Sequence, residues 1–385
     1  MSRTRGPSPS VPDQSAGAAA DTLARVTDPS PRRPLGESDV TLAAIRHAAD
    51  VIRGAVVRTP LLPFGPPIAG DALGRTRVWL KAESLQPIGA FKIRGAYYSI
   101  ATLPPNRRAA GVVAHSSGNH AQGVARAARL LGVRALIVMP SDAPLIKVER
   151  VLADGAEIVF VGTDSEERLH RAAEIAASEG LSPVEPYDDA ATIIGQGTVG
   201  LEIVEQLAAI EAEGETESGR AGTHGDSFTV LVPVGGGGIS SGVAVAVKSL
   251  RPDATVLGVE PVLAADARDS LDRGEIVTWP AEEVSRTIAD GQRTTHLGRI
   301  PFAILRRHLD GIVTVTEDEI ARAMVRASLE ARLIVEPSGA TALAAWLFHA
   351  DELPAGGRVV CILSGGNVDP ARYEQLLARG IAAGG

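Results

Sequence analysis

The sequence predicts an α/β fold with a mostly parallel sheet. Short apolar segments that are typical of strands alternate with amphipathic stretches of helical period. Connections of helical length between strands favour crossover units and parallel pairing. The composition agrees with a globular protein, because 45% of the 385 residues are hydrophobic and 22% are charged.

The predicted elements begin at about Asp39 with a helical pattern in VTLAAIRHAADVI, followed by RTPLLPF, an extended segment punctuated by proline. The predicted strands are RVWLKAE, VVAHS, ALIVMP, AEIVFVG, FTVLVPVG, TVLGVEP and RVVCILSGG. GAFKIRGAYYSIATL reads as a loop that runs into a helix, and HAQGVARAARLLG as a helix that ends at Gly132. The acidic, glycine-rich stretch 209–227 predicts a surface loop.

Composition and charge exclude several classes of function. The net charge of −8 carries no basic footprint for nucleic acid, and no apolar run approaches the roughly 20 residues of a membrane span. The single cysteine, Cys361, rules out a disulfide framework or a thiolate zinc site within one chain. It lies in a predicted buried strand, which favours a place in the core. These features predict a cytoplasmic enzyme.

Residues 1–36 are rich in Pro, Ser, Ala and Gly and show neither helical nor strand period. We predict a disordered N-terminal extension. Arg32 and Arg33 are followed by Pro34 rather than by an apolar segment, so the region does not resemble an export signal.

Lys92 is one of only four lysines in the chain. A Schiff base needs an amine that can lose its proton, which lysine can do and arginine cannot. Lys92 follows Phe91 in an apolar stretch and lies beside Arg94, and both burial and a neighbouring cation lower the pKa of an amine. On this segment alone, a lysine at a helix edge with its amine in solvent remains the alternative.

Four consecutive glycines, Gly235 to Gly238, connect a predicted buried strand to a helix of small residues. Free N–H groups at a helix N-terminus predict a monophosphate site, with a flexible loop as the alternative.

Gly195, Gly197 and Gly200 match the spacing G-x-G-x-x-G. They lack the acidic residue at the end of a following strand that a dinucleotide site requires, so we predict tight helix packing there instead.

Two further polar segments follow predicted strands. Ser116, Ser117, Gly118, Asn119 and His120 come between a strand and a helix, where hydroxyl, amide and N–H groups suit a carboxylate or a phenolic oxygen. Ordinary N-capping is the alternative. Ser364 follows the last predicted strand in LSGGN. All four segments fall near the carboxyl ends of strands, which is where open α/β sheets bind ligands.

The motifs GAFKIRGA, SSGNHAQG, VGGGG and LSGGNVD, in this order and spacing, resemble the serine/threonine dehydratase and serine racemase family of fold type II pyridoxal-phosphate enzymes. The resemblance covers about residues 39–375. It implies a large domain with a mostly parallel sheet (37–111 and 188–385), interrupted by a smaller, mobile α/β domain (112–187) that closes over the substrate. A homodimer or homotetramer is also implied.

The same resemblance implies roles for individual residues. Lys92, next to Phe91, would form the Schiff base with pyridoxal 5'-phosphate, Asn119 would meet the ring hydroxyl, and Ser364 would face the pyridine nitrogen. The backbone of Gly235, Gly236, Gly237 and Gly238 would hold the phosphate. The substrate carboxylate would bind the loop formed by Ser116, Ser117, Gly118, Asn119 and His120.

Glu260, Ala264 and Asp266 resemble a divalent-cation site of the family, formed by two carboxylates and the alanine carbonyl. Hard oxygen ligands suit Mg²⁺ or Ca²⁺. The alternative is an acidic surface turn.

The chain departs from the family pattern in two places. Ile88 and Ala90 stand where many members have Thr and Ser, which removes two hydroxyls near the cofactor. Only 18 residues follow Asn367, too few for the appended regulatory domain of feedback-controlled members, so strong allosteric feedback is not expected.

The resemblance predicts a pyridoxal-phosphate-dependent ammonia-lyase that converts L-threonine, L-serine or both to an α-keto acid and ammonia. Serine racemase and 3-hydroxyaspartate ammonia-lyase are the alternatives. Ser117 bears on them because many dehydratases of the family resemble SAGN in this loop, whereas racemases and hydroxyaspartate lyases resemble the SSGN of this chain. A β-replacement transferase is disfavoured by the lysine segment. A non-catalytic relative is disfavoured because Lys92 and Ser364 are both present.

Overall fold

The structure is a computed structural model that describes residues 35–65, 77–163, 165–218, 227–355 and 357–384. Its strands are β1 Leu61–Phe64, β2 Arg77–Ala82, β3 Val112–His115, β4 Ala135–Pro140, β5 Glu157–Val161, β6 Ser182–Pro183, β7 Phe228–Pro233, β8 Thr255–Pro261, β9 Gly311–Val315 and β10 Arg358–Leu363. The prediction of an α/β fold with mostly parallel sheets is confirmed.

The helices are α1 Leu42–Val51, α2 Lys92–Ala101, α3 Pro105–Ala110, α4 Asn119–Leu131, α5 Leu145–Ala153, α6 Ser165–Glu179, α7 Ala190–Ser218, α8 Gly238–Leu250, α9 Asp266–Arg273, α10 Ala281–Val284, α11 Arg299–His308, α12 Glu317–Arg326, α13 Pro337–Phe348 and α14 Pro370–Ala382. Short 3₁₀ turns and one π-helical turn, Ala327–Ala331, connect some of them.

Two sheets organise the chain. Six strands pair in the order β1-β2-β10-β7-β8-β9, and every neighbouring pair is parallel except β1 with β2. The other four form a parallel sheet in the order β5-β4-β3-β6. The chain leaves the first sheet after β2, builds the second sheet, and then returns to the first. The segment after β6 and the loop after β10 meet at Lys92 and its neighbour Phe91, and the space between the two sheets at this point is called the cleft.

Apolar burial follows the strand pattern. All six residues of β4 and all six of β7 are buried, as expected for strands covered on both faces. Cys361 lies in the core of β10, and burial raises the pKa of its thiol, which confirms its structural place.

Helix α7 crosses the centre of the protein against α1, α2 and α8. The motif Gly195, Gly197 and Gly200 lies inside it, and a Cβ atom at Gly197 would lie 2.9 Å from the carbonyl oxygen of Gly242 in α8. The prediction of tight helix packing is therefore confirmed.

Residues 190–212 are long and apolar enough to span a membrane by length and composition, contrary to the sequence expectation, but two thirds of this stretch is buried within the protein.

The structure differs from the sequence interpretation in parts of its secondary structure. The acidic stretch 209–227 was predicted to be a loop, but α7 continues through it to Ser218 because Ala and Glu are good helix formers; residues 219–226 lie outside the described part. RTPLLPF contains a true strand, β1, and the sequence interpretation omitted β6 and β9. Of the predicted disordered extension, residues 1–34 lie outside the described residues.

Candidate active site

Lys92 is the first residue of α2 and lies at the edge of the cleft between the two sheets. Its amine donates a hydrogen bond to the carbonyl oxygen of Pro186, 2.7 Å away, and lies 5.2 Å from the centre of the Phe91 ring. Burial of the amine lowers the pKa of Lys92 to about 8. About a tenth of this lysine is therefore uncharged at pH 7, far more than for an ordinary lysine, as a nucleophilic or basic amine requires.

Arg94 does not assist in this shift, contrary to the sequence interpretation. Its guanidinium is fully buried on the far side of α2, where it donates to Glu83 at 2.8 Å and to Glu202 at 2.7 Å. Lys81, also fully buried, donates to the other oxygen of Glu202 at 2.6 Å. The two positive and two negative side chains form a buried ion network with no net charge on the opposite side of α2. Burial of the amine is therefore the cause of the lowered pKa of Lys92.

The Lys92 loop is joined to the loop after β10 by backbone hydrogen bonds. The N–H of Phe91 donates to the carbonyl oxygen of Ser364 at 3.0 Å, and the N–H of Gly366 donates to that of Gly89 at 2.8 Å. The Ser364 hydroxyl donates to the Ser338 carbonyl oxygen at 3.3 Å. The structure thus brings into contact two predicted segments that lie far apart in the chain.

The glycine loop connects β7 to α8. Gly237 has φ +92°, in the left-handed region that favours glycine, and the Tyr187 ring packs directly on Gly236, where a Cβ atom would clash with it. None of the described hydrogen bonds of the loop uses the N–H groups of Gly235 to Gly238 as donors. Free N–H groups at the start of a 13-residue helix provide an anion-binding concavity.

The polar loop after β3 leads into α4, which begins at Asn119. Its N-cap residue is Gly118 and has no side-chain cap, so ordinary N-capping does not account for the cluster. Ser116 and Ser117 are half-buried, and the hydroxyl oxygen of Ser116 accepts a hydrogen bond from the Gly118 N–H at 3.2 Å.

His120 is buried and differs from its neighbours in the loop. Its Nε2 lies 2.7 Å from the carbonyl oxygen of Val184. Burial lowers the pKa of His120 to about 3, so the ring is neutral. The imidazole is thus engaged with the segment after β6 and carries no charge that could attract a carboxylate.

Sequence reasoning missed Glu336 and the side-chain contacts of Asn367. The amide of Asn119 donates to Glu336 at 2.6 Å, and the amide of Asn367 donates to the side-chain oxygen of Asn119 at 2.8 Å. Burial, with a smaller contribution from the negative charge of Asp290, raises the pKa of Glu336 to about 8. Glu336 is therefore mostly protonated at neutral pH and can share a proton with groups beside Asn119.

The backbone before Glu336 explains its position. After the π-helical turn Ala327–Ala331, Arg332 adopts φ +60°, and the chain reverses toward the cleft. Such π-helical turns occur often at functional sites. The N–H of Glu336 then donates to the carbonyl oxygen of Gly365 at 3.1 Å. No short sequence motif signals this path, because it depends on a chain reversal and on contact with a distant loop.

Glu260, Ala264 and Asp266 are all buried at the end of β8 and the start of α9. Glu260 accepts hydrogen bonds from the N–H groups of Ala267 and Arg268 at 3.1 and 2.9 Å. Burial and the proximity of Asp266 raise the pKa of Glu260, and burial raises that of Asp266 to about 7. Oδ2 of Asp266 is buried and has no hydrogen-bond partner in the described part of the chain. The acidic surface turn considered as the alternative is excluded by this burial.

No group of three or more His, Cys, Asp or Glu side chains within the described ranges is arranged to hold a metal ion. The candidate cation site instead combines two carboxylates, Glu260 and Asp266, with the carbonyl of Ala264. The orphaned oxygen of Asp266 fits a hard cation.

Known proteins resemble this chain over most of its length. The chain is 38% identical over 338 residues to L-threo-3-hydroxyaspartate ammonia-lyase of Saccharomyces cerevisiae, covering 88% of this chain and 96% of the relative. It is 37% identical over 348 residues to L-threonine ammonia-lyase of Thermotoga maritima, covering 90% and 80%.

Solved structures show the same fold. Maize serine racemase superposes with a TM-score of 0.77 at 36% identity, covering 89% of this chain and 98% of that chain. Serine racemase from Dictyostelium discoideum superposes with a TM-score of 0.75 at 34% identity, covering 86% and 99%. Residues 52–365 match the family described as pyridoxal-phosphate dependent enzyme. The chain belongs to this family, is a fold type II enzyme, and depends on pyridoxal phosphate.

Proposed function

We propose that this protein is an ammonia-lyase that converts L-threonine, L-serine or both to the α-keto acid and ammonia. The observation that carries the proposal is the buried Lys92 amine with its pKa of about 8, close to His120 of the Ser116–His120 loop. Relatives named threonine ammonia-lyase, hydroxyaspartate ammonia-lyase and serine racemase support ammonia-lyase chemistry in general.

The residues present fit pyridoxal phosphate. Lys92 offers a desolvated amine, and the glycine loop offers N–H groups for a phosphate. Asn119 and Ser364 offer an amide and a neutral hydroxyl on either side. When bound, the cofactor withdraws electrons from Cα of the amino acid, which makes the Cα proton removable.

Lys92 serves as the general base in this proposal. Its pKa near 8 lets it take a proton from Cα and later release that proton to solvent at physiological pH. Ser364, as a neutral group, cannot hold a proton on the ring nitrogen as a carboxylate would. Negative charge at Cα is then short-lived, and departure of the β-hydroxyl competes well with reprotonation.

The substrate carboxylate is proposed to bind the loop of Ser116, Ser117 and Gly118 at the start of α4. Exposed N–H groups at a helix N-terminus stabilise a carboxylate. His120, also predicted for this role, is assigned to fixing the loop through Val184 because its ring is buried and neutral. The small domain, 112–187, is proposed to carry this loop toward the substrate as it closes.

The charges around the cleft favour a substrate with a neutral side chain. Glu185 precedes Pro186, whose carbonyl oxygen accepts a hydrogen bond from Lys92, and the Glu185 side chain is partly exposed. The register of β3 and β6 places Glu185 beside His115, with 3.6 Å between a carboxylate oxygen of Glu185 and Nε2 of His115. A second carboxylate on the substrate would be repelled by the carboxylate of Glu185. Threonine and serine are therefore proposed ahead of 3-hydroxyaspartate, despite the similarity to hydroxyaspartate lyases.

Serine racemase remains the second candidate because of Ser117. Racemisation needs a proton donor on the face of Cα opposite Lys92, and Ser117 supplies a hydroxyl in the loop proposed to lie there. An unactivated hydroxyl is a weak acid and base, so we expect racemisation to be minor relative to elimination.

A divalent cation, Mg²⁺ or Ca²⁺, is proposed to bind Glu260, the carbonyl of Ala264 and Asp266. Two adjacent buried carboxylates with raised pKa values are stabilised when a cation neutralises them.

We also propose a cytoplasmic location and a homodimer or homotetramer, in keeping with the family resemblance.

Keto-acid release across L-threonine, L-serine and 3-hydroxyaspartate tests the proposal. We expect the highest kcat/KM for threonine or serine, and a Glu185→Gln variant to raise kcat/KM for 3-hydroxyaspartate relative to threonine by about three- to thirtyfold, the range expected for one charge at several ångströms. Glu179→Gln, an exposed change that removes the same charge from the small domain, should leave the ratio unchanged. Higher kcat/KM for 3-hydroxyaspartate in the parent enzyme would contradict the assignment.

A further inference from the structure

Gln196 lies at the centre of the glycine motif of α7 and is fully buried, with 0% of its surface exposed. Both its amide nitrogen and its amide oxygen lack a hydrogen-bond partner in the described part of the chain. An unpaired buried amide costs roughly 1–3 kcal/mol. Among the described side chains, Gln196 alone has two buried polar atoms without a partner. Because most buried polar groups in native proteins are satisfied, a water or a ligand beside this amide is indicated.

The glycines of α7 determine where this amide lies. Gly195 and Gly197 bring α7 against α2 and α8 so closely that side chains there would clash with backbone atoms. The Gln196 side chain is thereby held between Gly95 of α2 and Gly238, the first residue of α8. A Cβ atom at Gly238 would lie 2.6 Å from Oε1 of Gln196, so the end of the amide lies against the glycine loop. A rotation of the amide by 180° exchanges its oxygen and nitrogen and directs the nitrogen, a donor, toward that loop.

The amide therefore lies at the N-terminus of α8, on the glycine loop whose N–H groups donate none of the described hydrogen bonds. Two independent features therefore lie together: a helix N-terminus, which favours an anion, and a buried amide that has no hydrogen-bond partner among the described residues. A phosphate monoester satisfies both, because its oxygens accept hydrogen bonds from backbone N–H groups and from the amide nitrogen.

We propose that Gln196 is a cofactor-positioning residue whose amide nitrogen donates to the phosphate of pyridoxal phosphate. This rests on the proposed placement of the phosphate at Gly235 to Gly238. Gln196 thereby links α2, which begins with Lys92, to the phosphate site on α8. The G-x-G-x-x-G pattern then has a double role, since its glycines pack the helices and the residue between them contacts the cofactor.

The test compares Gln196→Leu and Gln196→Glu with the parent in the full-length protein. The measured quantity is the dissociation constant of pyridoxal phosphate, followed by cofactor absorbance after ultrafiltration. Loss of a hydrogen bond to a charged group predicts about 10- to 150-fold weaker binding for Gln196→Leu. Gln196→Glu should bind more weakly still, because a carboxylate repels the phosphate.

A second readout separates this role from a merely structural one. In cofactor-depleted protein the parent amide is unpaired, so Gln196→Leu should have a melting temperature equal to or above that of the parent. Inorganic phosphate should raise the melting temperature of the depleted parent more than that of Gln196→Leu. The control is Gln122→Leu, which removes another buried amide with an unpartnered nitrogen, in α4, and should leave cofactor affinity unchanged.

Unchanged cofactor affinity in both Gln196 variants would overturn the inference, as would equal weakening in Gln122→Leu. If Gln196→Leu does not fold, Gln196→Glu keeps the side-chain shape and supplies the same measurements. Failure of the proposed function would look different, because the parent itself would then lack lyase activity while the Gln196 comparison of cofactor affinity still stood.

Discussion

Replacing Glu83 with Gln should destabilise the protein through the ion network behind α2. Glu83 and Arg94 are both fully buried and 2.8 Å apart, and Glu202 and Lys81 complete a set of two positive and two negative charges. Removing one carboxylate leaves a buried positive charge without compensation. Breaking one partner of a buried pair typically costs about 3–5 kcal/mol.

This free energy converts into a shift in melting temperature. An unfolding entropy of about 2.1 cal/mol/K per residue, over the roughly 330 residues that the structure describes, predicts a loss of about 4–7 °C. The shift is measured by circular dichroism at a fixed, saturating concentration of cofactor, because ligand binding alone raises the melting temperature.

Glu157→Gln is the matched control. Glu157 pairs with Arg134 at 2.7 Å, but both side chains are about half exposed. Exposed pairs contribute about 0.2–1 kcal/mol, so the same conversion gives a loss of at most about 1.5 °C. A Glu83→Gln variant that melts within this range would refute the reasoning, since the network would then contribute no more than a surface pair.

Three further predictions concern the site. The rate at which cofactor-depleted protein captures pyridoxal phosphate should rise about tenfold between pH 7 and 9 and then level off, because the Lys92 amine loses its proton near pH 8; a rise that continues to pH 10.5 would indicate an ordinary lysine. EDTA should lower the melting temperature and Mg²⁺ or Ca²⁺ restore it, whereas a Glu260→Ala variant should not respond; an EDTA-insensitive parent would count against the cation site. Serine incubated in D₂O should yield a minor amount of D-serine, detected by chiral chromatography, and Ser117→Ala should abolish it while sparing most elimination; equal D-serine from both proteins would remove Ser117 from this role.

The parts of the site that the sequence predicts are those carried by short segments at strand ends. Glycine runs and polar residues after apolar strands have local causes, and the parallel fold brings such ends together. Lys92, the glycine loop and Ser364 were predicted in this way. The packing role of Gly195 was also predictable, since the sequence lacks the acidic residue that a dinucleotide site would need.

Other features depend on contacts that no local pattern encodes. Arg94 lies two residues from Lys92 in the chain, yet α2 turns its side chain to the opposite side, toward Glu83 and Glu202. Glu336 reaches Asn119 only after a chain reversal at Arg332. The short distance in sequence between Arg94 and Lys92 therefore led to a wrong prediction that Arg94 lowers the pKa of the Lys92 amine. No sequence pattern predicted the contact of Glu336 with Asn119.

The measurement that tests the central claim most directly is borohydride reduction of the protein with its cofactor, followed by peptide mass spectrometry. The account predicts reduced cofactor on the peptide that contains Lys92, and loss of both the covalent label and turnover in Lys92→Ala. Lys248→Ala, which alters an ion pair with Asp310, is the control and should retain both. Covalent label on Lys81, Lys147 or Lys248, or turnover in Lys92→Ala, would contradict the account.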